Sequence, residues 1–205
     1  MHLVIVSTPR SGAHMLRSML RADGSIDDLG AFIFPDDGQV IEPPANASGE
    51  AVQAVYEREL AARPGRTLVS HIKLMHGHFE AIRAAAATGG RFMLLRRVDR
   101  LAEACSLILA MKYRAIAEPA PAGSTISPEP KQVRDMVAEF GRLEELGRRY
   151  LEGLPFVSLD YEDISVPTVK AASASLGLDL DVGEPTTQKS APRLADFVTN
   201  LSELI

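Results

Sequence analysis

Short apolar segments rich in Val, Ile and Leu alternate along this chain with longer segments of helical periodicity, and this alternation restricts the possible folds more than any other feature. The apolar segments predict four strands, at His2–Ser7, Thr67–Lys73, Arg91–Arg96 and Phe156–Asp160. The segments predicted to be helical are residues 15–22, 50–62, 77–88, 99–117, 128–151 and 166–176. Strands separated by helices pair in parallel, with helices on both faces of the sheet. The pattern therefore predicts a single α/β domain over residues 1–205, with three layers and a central parallel sheet.

Two segments that are rich in proline, glycine or aspartate interrupt this alternation. We predict residues 23–49 to be loop, and residues 118–130 to be a surface loop or lid, while the tail from residue 179 has no clear periodicity. In open parallel sheets, ligands bind beyond the carboxyl ends of the strands. The segments that follow those ends are residues 7–12, 73–78, 96–99 and 160–163. We expect them to gather at one edge of the sheet.

The composition limits the classes of partner. The net charge is −5, whereas a nucleic-acid surface needs an excess of Lys and Arg, so no nucleic-acid partner is expected. A small anionic ligand needs only a few local donors. Cys105 is the one cysteine and no Cys/His cluster has zinc-ligand spacing, so we expect no metal site and a reducing, cytoplasmic setting. No segment approaches the roughly 20 apolar residues of a membrane span.

The string VIVSTPRSGAHML places polar residues between the first strand and the first helix. Gly12 allows backbone to approach a ligand closely, and a helix that starts here offers free N–H groups and the positive end of its dipole. Thr8, Arg10 and Ser11 add side-chain donors, so the string is typical of a phosphate-binding loop. It lacks the first Gly and the Lys-Ser/Thr pair of a Walker A motif, which argues against Mg-dependent triphosphate hydrolysis. The alternative is an ordinary helix cap.

A second polar group interrupts the core-like string LLRRVDRLAEACSLILAM, where a strand runs into a helix. Arg97 could hold a phosphate through two parallel hydrogen bonds, with Ser106 as a further donor. The alternative is that Arg97 pairs with Asp99 or another acid and that Ser106 bonds back into its own helix.

Together the two strings resemble the signatures of sulfotransferases that use 3′-phosphoadenosine 5′-phosphosulfate, in the bacterial Pro-Arg-Ser-Gly branch that includes trehalose and nodulation-factor sulfotransferases. The resemblance implies the three-layer, P-loop NTPase-like fold that sulfotransferases share, with 3′,5′-adenosine bisphosphate as the product and no metal. It implies that the 5′-phosphosulfate binds at the first loop and the 3′-phosphate at the second string. The residues implied for the first loop are Thr8, Arg10, Ser11, Gly12, Ala13 and His14, and those for the second are Arg97 and Ser106. The family often has Ser-Thr where this chain has Ala13-His14.

Two further strings extend the resemblance. In QKSAPRLADFVTN it implies that Lys189 and Arg193 reach the 3′-phosphate, although both could be solvated surface residues. In FVSLDYEDI it implies that Tyr161 and Glu162 brace the edge of the sheet rather than touch substrate.

Sulfuryl transfer needs cations near the leaving oxygen and a base near the acceptor. Arg10 and Lys73 suit the first role. For the base, Ala31 stands where trehalose-type relatives have an acid, so Asp27 or Asp28 could substitute.

The base could instead be a histidine, as in the cytosolic enzymes of animals and plants. His71, His76 and His78 cluster at one strand end, and His76 is favoured because it lies three residues after Lys73. The expected acceptor is a hydroxyl on a small molecule, a glycan or a lipid-linked sugar, and a homodimer is possible. A small phosphoryl-transfer enzyme and a non-catalytic nucleotide-binding protein remain as alternatives.

Overall fold

The computed structural model describes residues 1–31, 48–74, 79–114, 120–186 and 193–204. Its strands are β1 (His2–Ser7), β2 (Ile26–Ala31), β3 (Thr67–Lys73), β4 (Arg91–Arg96) and β5 (Phe156–Asp160). Its helices are α1 (Ala13–Leu20), α2 (Gly49–Ala62), α3 (Phe79–Ala87), α4 (Arg100–Tyr113), α5 (Pro130–Leu151), α6 (Val166–Ser175) and α7 (Leu194–Phe197). Single 3₁₀ turns lie at Tyr161–Asp163 and Leu201–Glu203.

The strands form one parallel sheet in the order β2-β3-β1-β4-β5. The central strand β1 is buried along its whole length, as its uninterrupted apolar sequence predicts. Because all strands run in the same direction, their carboxyl ends share one edge. Ser7, the last residue of β1, lies opposite Lys73 of β3 and Leu95 of β4.

Helices cover both faces of the sheet. The even-numbered residues Val4 and Val6 of β1 face a core built with α2, α3, α4 and α5. The odd-numbered Leu3 and Ile5 face a second core built with α1 and α6. The predicted three-layer α/β architecture with a central parallel sheet is confirmed.

The prediction that residues 23–49 are loop is wrong for β2, which forms an edge of the sheet and pairs with β3. The sequence of β2, IDDLGA, holds two aspartates and a glycine and therefore lacks a strand signal. The register of its pairing with β3 shifts between Asp28 and Ala31. Arginines outside the strand bind the carboxylates of both aspartates. These neighbours come from α1 and from the turn before β3, so the local sequence gives no sign of them.

Helices α1 and α4 begin at different residues than predicted, for local reasons. Helix α1 starts at Ala13, two residues early, directly after Gly12 in its left-handed conformation. Helix α4 starts at Arg100 because the side chain of Asp99 caps it, accepting a hydrogen bond from the backbone N–H of Ala102 at 2.8 Å.

The connection between α4 and α5 is held by the C-terminal segment. Within its described residues 120–130, Ile126 is buried and forms an isolated parallel bridge with Val198. The Thr125 carbonyl accepts hydrogen bonds from Lys112 Nζ and the Tyr113 hydroxyl. The middle of this predicted surface loop is therefore anchored to the protein.

Within the part of the chain that the structure describes, no helix is long and apolar enough to cross a membrane. Nor do three or more His, Cys, Asp or Glu side chains of these residues lie close enough together to share a metal ion.

Candidate active site

The segments after β1, β4 and β5 meet at the carboxyl edge of the sheet, as predicted. The loop after β1 contacts the turn after β4 through Arg97, whose Nη1 donates to the Arg10 carbonyl at 3.3 Å. The turn after β4 contacts the segment after β5, because Glu162 accepts hydrogen bonds from the backbone N–H groups of Val98 and Asp99 at 3.1 and 3.2 Å. Burial raises the pKa of Glu162, but these two donors, its own backbone N–H and the charge of Arg97 together hold that pKa below the ordinary value.

The interior of the first loop is held by its own hydroxyl groups. The Thr8 carbonyl accepts from Ser7 Oγ at 3.0 Å and from Ser11 Oγ at 2.8 Å. The Thr8 hydroxyl in turn donates to Glu103 Oε1. The hydroxyl protons of Thr8 and Ser11 are therefore engaged within the protein, so these residues can offer a ligand their backbone N–H groups rather than hydroxyl protons.

Gly12 closes the loop and starts α1. Its φ is +93°, and a Cβ atom built there would lie 2.2 Å from Cδ2 of Tyr161. Glycine is therefore required both by the left-handed backbone and by the aromatic ring above it. Gly12 is the N-cap of α1 and provides no side-chain hydrogen bond to it, and the positive N-terminal end of a helix favours an anion.

Arg97 lies against this loop and forms no ion pair with an acid among the described residues. Its guanidinium carbon is 5.0 Å from the centre of the Tyr161 ring, which is a cation–π contact. The residue is only 7% exposed, yet its Nε has no hydrogen-bond partner among the described residues. Asp99 caps α4 instead of pairing with Arg97. A buried guanidinium N–H without an acceptor is costly, so this atom is suited to an external anion.

Arg10 links the two predicted phosphate sites. Its Nε donates to Ser106 Oγ at 3.2 Å, from the loop to the second turn of α4. The backbone of Arg10 is left-handed, with φ of +63°. The Ser106 hydroxyl thus receives a hydrogen bond from outside its helix. Because Arg10 also accepts from Arg97, the two segments that resemble a sulfotransferase form one continuous cluster.

Glu103 is a part of this cluster that the motifs do not reveal. Its side chain is fully buried, and its two oxygens accept from the Thr8 hydroxyl and from Arg100 Nη1. Burial raises the pKa of Glu103, and the two donors oppose that rise. In the sequence Glu103 looks like an ordinary first-turn helix residue, so only its contact with Thr8, 95 positions away, marks it.

The remaining predicted residues are distributed around the cluster. Lys73 ends β3, is half-buried and lies opposite Ser7, whose Oγ is 2.8 Å from Nε2 of His71. In the first turn of α1, Ala13 is buried and His14 is exposed. Arg193 is the N-cap of α7, where its backbone N–H donates to Asp196. No hydrogen bond or ion pair recorded between described residues joins Arg193 to Arg97 or Ser106. His76, His78 and Lys189 lie outside the described residues.

The two aspartates considered as a base are both engaged in ion pairs. Asp28 Oδ1 is 2.9 Å from Arg17 Nε, and Arg21 contacts the other oxygen. Asp27 pairs with Arg66 at 2.8 Å, and this hydrogen bond lowers the pKa of Asp27. A carboxylate held in this way is a poor proton acceptor, so the structure argues against either aspartate as the catalytic base.

Solved sulfotransferases share this fold. A crystal structure of a sulfotransferase from Alicyclobacillus acidocaldarius superposes with a TM-score of 0.56 at 16% sequence identity, covering 98% of this chain and 93% of that one. A sulfotransferase domain from the curacin biosynthetic pathway gives a TM-score of 0.55 at 15% identity, covering 98% and 81%. No protein-family model matches the chain, and neither does any curated protein sequence. The chain is therefore a protein of the sulfotransferase fold, whose activity has to be argued from its own site.

Proposed function

We propose that this protein is a sulfotransferase that moves a sulfuryl group from 3′-phosphoadenosine 5′-phosphosulfate to a hydroxyl of a small molecule or glycan. The proposal rests on one observation: the two segments predicted to bind anions are joined in a single hydrogen-bonded cluster. Arg97 bonds the loop that holds Arg10, Arg10 bonds Ser106, and Arg97 Nε still lacks an acceptor within the described protein. A nucleoside with phosphate groups at both ends needs two such groups of donors on one edge of the sheet.

The residues present fit such a donor in charge and in type. The N-terminus of α1 and the permanently charged Arg10 supply donors at the first loop, and Arg97 supplies a buried guanidinium at the second. When bound, the donor nucleotide supplies the activated sulfuryl group. The protein's part is to hold it and to stabilise charge, which requires cations fixed before the reaction begins.

We assign chemical roles on this basis. Arg10 stabilises negative charge on the leaving oxygen, and Lys73, at the end of the neighbouring strand β3, provides a second cation. His76 follows Lys73 by three residues and is proposed as the base that takes the proton of the acceptor hydroxyl. The ion pairs of Asp27 and Asp28 favour a histidine over an aspartate in this role.

Calorimetry with 3′,5′-adenosine bisphosphate tests the donor site. We expect the wild-type protein to bind this nucleotide more tightly than adenosine 5′-phosphate, which lacks the 3′-phosphate. Arg97→Ala should weaken bisphosphate binding by about 1–3 kcal/mol, the scale of a hydrogen bond to a charged group. The same variant should bind adenosine 5′-phosphate as the wild type does, because the lost contact is to the 3′-phosphate.

Arg142→Ala is the matched control, since this arginine is exposed on α5 and pairs with Glu139 of the same helix. It should leave both affinities unchanged. Equal bisphosphate affinity in Arg97→Ala and in the wild type would refute the assignment of Arg97.

A non-catalytic nucleotide-binding protein on the same fold is the second candidate. It is favoured by the engagement of both β2 aspartates and by Ala31 at the position where an acid is expected. Incubation with labelled donor and a panel of glycan and lipid hydroxyl acceptors separates the two candidates. Transfer that disappears in Lys73→Ala and His76→Ala supports the enzyme, whereas tight nucleotide binding with no transfer to any acceptor supports the second candidate.

A further inference from the structure

We propose that Glu103 is a positioning residue of this site, which fixes the shape of the first loop through the Thr8 hydroxyl and thereby sets the affinity for the nucleotide. The inference rests on the proposed function, because it assigns a role within the same donor site. Glu103 itself is fully buried and has no path to a ligand, so its effect is exerted through Thr8.

Thr8 is the residue on which the loop depends. Its carbonyl accepts the hydroxyls of Ser7 and Ser11, which fold the chain around it on both sides. Its own hydroxyl attaches this turn to α4, and the acceptor is Glu103 Oε1. If that contact is lost, the rotamer of Thr8 is no longer fixed, and the donors of the following residues are no longer held in the orientation that binds the ligand.

The other carboxylate oxygen of Glu103 is also held by a hydrogen-bond donor. Arg100 Nη1 donates to Oε2 at 2.8 Å, and Arg100 also pairs with Glu144 of α5. Glu144 lies 3.9 Å from Arg96, which pairs with Asp160 at the end of β5. A buried carboxylate persists only where its oxygens are matched by donors, and here one donor belongs to the loop and the other to the helical layer. The loop is thereby tied to α5 and β5.

The spacing of two residues on α4 matches the two contacts that this helix makes with the loop. Glu103 and Ser106 are three residues apart and therefore lie on the same face of the helix, one turn from each other. The first contacts Thr8 and the second contacts Arg10. One helical face thus makes both attachments. Of the two residues on this face, only Ser106 was predicted to bind the ligand.

A double-mutant cycle on Thr8 and Glu103 tests the inference, with the dissociation constant for 3′,5′-adenosine bisphosphate as the readout. Thr8→Val and Glu103→Gln should each weaken binding about tenfold, the scale of one hydrogen bond to a charged group. The double variant should be weakened about tenfold as well, not about a hundredfold, because both changes remove the same contact to a charged acceptor. In Glu103→Gln the one remaining oxygen stays with Arg100, and the NH2 group faces Thr8, where it cannot accept the hydroxyl proton. Thr8→Ser restores the hydroxyl and should recover most of the affinity lost in Thr8→Val.

The controls separate this role from a general loss of stability and from direct ligand binding by Thr8. Glu145→Gln removes an exposed α5 carboxylate that pairs with Arg149 and should leave the affinity unchanged. All affinities are measured at a temperature where thermal unfolding shows each variant to be folded. If Glu103→Gln does not fold, the comparison of Thr8→Val with Thr8→Ser is measured alone, and a serine that fails to recover affinity overturns the inference.

Loss of affinity in Thr8→Val with wild-type affinity in Glu103→Gln would mean that Thr8 acts on the ligand directly, and it would overturn the role of Glu103. Additive losses would do the same. Nucleotide binding by the wild type with unchanged affinity in all variants overturns the inference alone, whereas a wild type that binds no nucleotide overturns the proposed function and the inference with it.

Discussion

Gly12 shows how one residue joins backbone conformation to packing at the site. Replacing it with Ala would force a Cβ both into a left-handed backbone, at φ of +93°, and against the Tyr161 ring. We expect Gly12→Ala to lower the free energy of unfolding by about 2–4 kcal/mol, as strain and overpacking act together. Urea unfolding followed by circular dichroism measures this change.

Gly153→Ala is the matched control for Gly12→Ala. Gly153 has a similar φ of +79°, but no atom lies within 4 Å of the Cβ position. In this variant only the left-handed backbone conformation is unfavourable, so its free energy of unfolding should fall by about 1 kcal/mol. Equal losses in the two variants would show that the Tyr161 contact contributes nothing.

At the residue scale, the sequence predicted which segments meet at the candidate site but not which hydrogen bonds their side chains make. Arg10, Arg97 and Ser106 were predicted from local strings, and the structure joins them by hydrogen bonds. The hydroxyls of Thr8 and Ser11 were predicted to face a ligand, but both donate within the protein. Their acceptors are a loop carbonyl and a helix carboxylate, and such choices depend on tertiary contacts that spacing does not encode.

At the scale of elements, strand β2 is attached to α1 by a buried ion pair that can be tested directly. The side chains of Arg17 and Asp28 are only 6% and 5% exposed. Asp28→Asn would leave Arg17 as an uncompensated buried charge, so we expect it to lower the free energy of unfolding by about 3 kcal/mol. The measurement is urea unfolding at neutral pH.

The adjacent Asp27→Asn is the control for this prediction, because the side chain of Asp27 is 31% exposed and its partner Arg66 is in contact with solvent. The loss in Asp27→Asn should be clearly smaller than that in Asp28→Asn. The reverse order would contradict the attachment of β2 through Asp28.

These ion pairs also explain which elements could be predicted from the sequence. Strands β1, β3, β4 and β5 have the predicted bounds, because each is a short, mainly apolar run that ends at a polar residue. Strand β2 was missed because its polar residues are compensated by arginines of other elements. The anchoring of Ile126 to Val198 was missed for a similar reason, since a bridge between positions 72 residues apart leaves no local pattern.

At the scale of the whole molecule, the sheet separates the candidate site from a second buried polar cluster. The site lies at the carboxyl ends of the strands, whereas His2 lies at the amino end of β1. His2 Nε2 is 3.0 Å from Ser70 Oγ, and its ring packs on Tyr56 of α2 at 4.3 Å. Its Nδ1 has no hydrogen-bond partner among the described residues. The two ends of the sheet can therefore be perturbed independently.

The burial of His2 makes the stability of the whole molecule depend on pH. Burial, and secondarily the charge of the N-terminus, lowers the pKa of His2 to about 3, whereas the pKa of a histidine in the unfolded chain is near 6.5. Below pH 6.5 the unfolded chain binds a proton that the folded chain does not, so the stability from this group is complete above that pH. It is lost as the pH falls towards about 3, by up to about 1.4 kcal/mol per pH unit.

Replacing His2 should remove this dependence without changing the candidate site. The variant His2→Gln cannot take up the proton, so its unfolding free energy should fall less steeply than that of the wild type between pH 6.5 and pH 4.5, by about 1 kcal/mol per unit on average. His14→Gln, which replaces an exposed histidine of α1, is the control for the substitution itself. Urea unfolding at several pH values gives the slopes, and parallel slopes in His2→Gln and the wild type would show that His2 titrates alike in both states. The affinity of His2→Gln for 3′,5′-adenosine bisphosphate at neutral pH should equal that of the wild type, because His2 lies at the amino end of β1 and contacts Ser70 and Tyr56 there.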